Sequence, residues 1–94
     1  MSKDPTPADL FKAAVGDRVR EWREALGQSR AELARSAGIS VSYLGKVERG
    51  SAAATITTMQ AIAAALGASA WELLDVGGDE LGVAAVAAPT ASDA

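Results

Sequence analysis

An all-α fold of five helices is what this 94-residue chain predicts, on three observations. Serine and threonine stand where helices need a cap, and glycines stand where helices must stop. Between them the apolar residues recur at three- and four-residue spacings. Apolar residues make up 49% of the chain, yet the only aromatics are Phe11, Trp22, Tyr43 and Trp71. A core of Ala, Leu, Ile and Val suits helices, because alanine is the best helix former and allows close helix packing. The length suffices for one domain with a modest core.

The elements follow in order. Thr6, Pro7, Ala8 and Asp9 mark a helix start, with Thr as cap, Pro at the first helical position and Asp at the third. Phe11, Val15, Val19, Trp22 and Leu26 then fall on one helical face, and Gly27 ends it. Gly16 inside that pattern is either tolerated or marks where the domain proper begins. In the second case residues 1–15 are an N-terminal extension of the first helix. Ser29 caps the second helix, and Glu32 three positions later completes a capping box. Leu33 and Ala34 face inward, and Gly38 supplies the positive φ of a tight turn. Ser40 caps the third helix, Leu44 and Val47 form its buried face, and Gly50 stops it. Thr55 opens a fourth helix carrying Ile56, Met59, Ile62, Ala63 and Leu66, closed by Gly67. Ser69 opens a short fifth helix with Trp71, Leu73 and Leu74.

Residues 28–50 are the most informative stretch. Two short helices meeting through so tight a turn form a rigid wedge. One of them fits the major groove of DNA, which is about 12 Å wide. Val41, Ser42, Gly45, Lys46 and Arg49 are left on the outer face of the third helix, residues 40–49. An ordinary helical hairpin with a solvated outer face is the alternative.

Here the residues resemble a family. GDRVREWREALGQSRAELARSAGISVSYLGKVERG and the following TITTMQAIAAALGASAWELL are similar to the Cro and lambda-repressor type of helix-turn-helix regulator, the XRE family. The features that carry the resemblance are Arg-x-x-Arg in the first helix, AELA, the turn glycine, Ser-Tyr-Leu, Glu-Arg-Gly and the final Ala-Leu-Gly. It covers about residues 16–74. It implies a compact lambda-repressor-like domain over residues 16–76, flanked by the N-terminal extension and by a C-terminal tail, 77–94. The implied function is sequence-specific binding of double-stranded DNA by a transcriptional regulator, a repressor acting as a homodimer on a palindromic operator.

The resemblance also assigns roles. The N-terminal part of a recognition helix meets base edges, which places Val41, Ser42 and Lys46 toward the groove floor. Lys46 can donate to guanine, Ser42 can bond either way, and Val41 can meet a thymine methyl. A solvent-facing helix residue is the alternative for each. Gly45 has no side chain and would let the backbone approach DNA closely. Ser29, Arg30, Tyr43 and Arg49 are the expected phosphate contacts. Arg30 departs from the family, which usually carries Gln near the start of this helix. A guanidinium there faces an unfavourable helix dipole that a phosphate would offset. The loop Ser51, Ala52, Ala53, Ala54 departs too, because it lacks cations. Arg23 and Glu48 match a structural arginine–glutamate pair that sets the angle between two helices. Trp71 and Leu74, with Leu81, Val83 and Val86 of the tail, are the expected dimer interface.

Composition bounds the rest. With neither His nor Cys, zinc sites, disulfides and thiolate chemistry are disfavoured, and serine nucleophiles lack an imidazole base. No cofactor, metal or enzymatic activity is expected. No apolar run of membrane-spanning length and no secretion signal stands in the chain, so a cytoplasmic, nucleoid-associated protein is expected. The formal charge of −3 opposes a DNA-binding reading, but it is unevenly placed. Residues 16–74 hold seven basic against six acidic side chains, while Asp75, Asp79, Glu80 and Asp93 put −4 beyond them. Two other readings remain: an antitoxin or restriction–modification controller, which still binds DNA, and a protein-interaction module whose outer helix face is unused.

Overall fold

Each cap predicted above forms, and together they define the architecture. The computed structural model describes residues 4–76. It contains α1 (Pro7–Ala25), α2 (Arg30–Ala37), α3 (Val41–Glu48), α4 (Ile56–Ala65) and α5 (Ala70–Leu74), with no strand among the described residues. Thr6, Ser29, Ser40, Thr55 and Ser69 each accept a backbone N–H of the first turn through the side-chain oxygen. Three of these are reciprocal boxes, closed by Asp9, Glu32 and Glu72. Short helices need this help, because an isolated helix of two turns is not stable in water.

The Thr6 N–H donates to Asp9 Oδ2 at 3.0 Å, and this bond, first among its causes, holds the Asp9 carboxyl below its ordinary value of 3.8. A lowered folded-state value stabilises above the unfolded value and is lost as pH falls through the folded one. The cap should therefore stay intact at neutral pH and loosen only below about pH 3.8. Carbon-detected titration of Asp9 checks this, and a midpoint above that value would refute it.

Helix α1 runs unbroken through Gly16, so the segment before it forms the first turns of the same helix. Gly16 is buried, and the reason lies across the fold. A Cβ built there would collide with the Val47 carbonyl oxygen and stand 2.6 Å from that of Glu48. The last turn of α3 thus rests directly on the α1 backbone. At the other end of the wedge Gly38 takes φ +74°, and Ile39 N–H returns to Ala34 O at 3.0 Å. That left-handed step turns the chain from α2 into α3 within three residues.

The core gathers one side of every helix. Val19, Leu33, Leu44, Ile62 and Leu73 are fully buried, joined by Val15, Ala34, Val47, Met59, Ala63, Leu66 and Val76. Burying a large aliphatic side chain contributes roughly 1.5–3 kcal/mol each. Helix α2 packs on α3 and α4, α1 on α3 and α5, and α4 on α5. The expected inner face of α1 is buried only at its middle. Val15 and Val19 are covered and Trp22 half-covered, whereas Phe11 and Leu26 remain 40% and 55% exposed. At 19 residues α1 is about 28 Å long and reaches past the shorter helices it packs on.

Candidate nucleic-acid interface

Helix α3 has two faces with different chemistry. Leu44, Val47 and Glu48 are buried, while Val41, Ser42, Lys46 and the cap residue Arg49 are exposed. Ser40 starts the helix by accepting the Tyr43 N–H at 3.0 Å, and the Tyr43 side chain lies half-buried against the core. Its position at the wedge edge leaves part of it outward.

Glu48 anchors α3 from within. Its carboxylate is 2% exposed and accepts from Arg23 twice, at 2.7 Å from Nε and 3.2 Å from Nη2. Arg23 is itself 7% exposed and also donates Nη1 to the Gln28 carbonyl at 2.8 Å. The hydrogen bond to Glu48 raises the Arg23 pKa above the ordinary arginine value, against the opposing effect of burial. The expected pair is thus present in bidentate form. It fastens α1, the α1–α2 turn and α3 at one point.

A third member joins the pair. Arg30 Nε donates to Glu48 Oε1 at 2.9 Å, while about half of the Arg30 side chain stays exposed. The sequence placed Arg30 at a phosphate, not beside this carboxylate. Two arginines share one carboxylate, and Arg30 stands at the start of α2, where the helix dipole disfavours a cation. Ser29 is spent as the cap of α2: its oxygen accepts the Glu32 N–H at 3.0 Å. The hydroxyl proton remains available to an outside acceptor.

Gly45 differs from its expectation. It was placed on the open face, but it is buried, with the Arg49 guanidinium lying over it. The reason is geometric: i and i+4 are neighbours on a helix, and a bare Cα leaves room for the longer side chain to fold back.

The distribution of partners sorts the cations. Lys12 and Arg20 pair with Asp9 and Asp17, and Arg23 and Arg30 with Glu48. Arg18 donates to the Glu72 carbonyl at 2.6 Å and stacks over Trp22 at 5.0 Å. Among the cationic side chains of the described residues, only those of Arg35, Lys46 and Arg49 have no ion pair, hydrogen bond or ring stack. Two of the three belong to α3 or its cap, so unneutralised charge gathers on the outer face of that helix. Spacing alone could not show this, since it depends on which carboxylates the fold brings near.

Of the expected dimer residues, Trp71 is 82% exposed and Leu74 half-buried, while Leu81, Val83 and Val86 lie outside the described residues. No described helix is long and apolar enough to cross a membrane.

Comparison with known proteins agrees with this geometry. The family model for Helix-turn-helix, HTH_3, matches residues 19–73. The HTH-type transcriptional regulator SinR of Bacillus subtilis is 36% identical over 62 residues, covering 65% of this chain. The chain spans 56% of SinR's own length. Among solved structures, the restriction-modification controller protein C.AhdI from Aeromonas hydrophila is 37% identical with a TM-score of 0.65. The match covers 66% of this chain and 94% of C.AhdI. The clp gene regulator ClgR from Corynebacterium glutamicum is 27% identical with a TM-score of 0.70, over 87% of each chain.

Proposed function

Because the chain belongs to the helix-turn-helix family of DNA-binding transcriptional regulators, we propose that it is a repressor that binds a palindromic operator as a homodimer. The observation that carries this is the outer face of α3, where Lys46 and Arg49 stand exposed and unpaired beside Val41 and Ser42. Two unpaired cations on one exposed face make it locally positive although the chain as a whole is acidic. Here the two are left for a polyanion.

In this reading Val41, Ser42 and Lys46 meet base edges, while Ser29, Arg30 and Tyr43 meet phosphates that set the register. Three modest base contacts at about 1–3 kcal/mol each cannot single out a genomic site. Two copies on half-sites about 34 Å apart double the contacts, and the exposed Trp71 beside Leu74 offers apolar area for the pairing. The cell compartment is the cytoplasm, where the nucleoid is. A restriction–modification controller is a second reading, favoured by the match over 94% of C.AhdI.

The test is selection from a genome-derived DNA library at three salt concentrations. An enriched palindrome, with a log–log salt slope of several units, is the expected result. No retention even at low salt would overturn the reading in favour of a protein partner. Sedimentation should show self-association, and Trp71→Ser should weaken it while leaving the melting temperature of the dilute monomer unchanged. A chain that stays monomeric at high micromolar concentration would sink the dimer.

A further inference from the structure

Arg49 sits where a phosphate contact is expected, at the C-terminal cap of α3, but its side chain points elsewhere. A Cβ built on Gly45 would stand 3.1 Å from Arg49 Nη1 and 3.8 Å from Cζ and Nη2. The guanidinium therefore lies against the helix one turn before its own Cα, the direction in which helical side chains lean. Gly45 lies beneath it, and Val41, Ser42 and Lys46 are the exposed residues of the same helix. No carboxylate or carbonyl holds it there.

A Cβ at position 45 would stand 3.1 Å from Nη1, so the guanidinium would have to shift by a few tenths of an ångström, and a longer side chain would take the seat. Glycine is a poor helix former, so α3 is weakened by having it at this position, and the seat is the one use the geometry shows for it. A guanidinium presents paired donors in a planar fork that matches guanine O6 and N7 in the major groove. A phosphate clamp needs its cation at the groove rim, away from the helix axis. This cation lies along the outer ridge, level with the residues proposed to read bases.

We propose that Arg49 reads guanine in the major groove, and that Gly45 is the seat that directs it there. The inference rests on the regulator reading above and adds a fourth base-reading residue to it.

The test is operator selection by the full 94-residue chain, by R49A, R49K and G45A, with a thermal melt of each. R49A should lose a guanine preference at one position of each half-site, by roughly tenfold or more, with the rest of the operator unchanged. R49K, which keeps the charge without the fork, should restore only part of it. G45A should melt no lower than the parent yet weaken the preference at that same base. Two results would overturn the proposal. One is R49A weakening every DNA by one common factor, with a salt slope lower by about one per protomer and the guanine preference intact. The other is G45A selecting the parental operator unchanged. A parent chain that retains no DNA at low salt would overturn the regulator reading itself, and this inference with it.

Discussion

Glu48→Ala should destabilise the domain by about 3 kcal/mol, the low end of the cost of removing one partner from a buried ion pair. For a domain of this size that corresponds to a fall in melting temperature on the order of 15 °C. The loss comes from Arg23. It is 7% exposed, and a guanidinium keeps its charge in proteins even without a partner, so it cannot relieve the missing carboxylate by releasing a proton. The low end is chosen because Arg23 keeps the Gln28 carbonyl at 2.8 Å and lies 3.8 Å from the Glu24 carboxylate. Arg30, half-exposed, can turn to solvent. The double variant Arg23→Met, Glu48→Leu should recover most of the stability, since apolar pairs of similar volume often replace buried ions at no loss. Thermal melts of both decide the matter, and an unchanged melting temperature for Glu48→Ala would refute the account.

Gly16→Ala should cost about 2 kcal/mol net, even though alanine favours a helix interior by about 1 kcal/mol. The added Cβ would meet the Val47 and Glu48 carbonyl oxygens, the latter at 2.6 Å. These are backbone atoms of a helix held by the core and by Glu48, so they cannot swing aside as a side-chain end would. Overpacking of that kind typically costs 1–3 kcal/mol and occasionally more. The α3 helix would be pushed off α1, and DNA affinity should fall along with the melting temperature. A melting temperature at or above the parent's would show that the two helices are not in close contact.

These two positions show what could be read beforehand. Glu48 was legible as the partner of Arg23 because the family resemblance carried both residues. Ser29 with Glu32 and Gly38 were legible because capping and turning are local acts of three or four residues. Gly16 was not legible: its neighbours are carbonyls more than thirty positions away, and the helix pattern around it is equally good with or without a contact. The third bond on Glu48, from Arg30, was hidden for the same reason. Arg30 lies in α2 and Glu48 in α3, and nothing in either segment states that the two ends meet. Phe11 and Leu26 were placed inside because periodicity shows which face of a helix is apolar. It does not show how far along that face the rest of the bundle extends.

Helix α3 turns its anchors inward and its unpaired groups outward, with Leu44, Val47 and Glu48 on one side and Val41, Ser42, Lys46 and Arg49 on the other. If the outer face reads DNA as proposed, stability and recognition are written on different letters of the same eight-residue word and its cap. The outer positions are free to drift, because altering them removes no core contact and breaks no buried ion pair. One scaffold can therefore acquire a new operator by a few surface exchanges while folding as before. Grafting the outer residues of a relative onto this chain would move its target without retuning its interior.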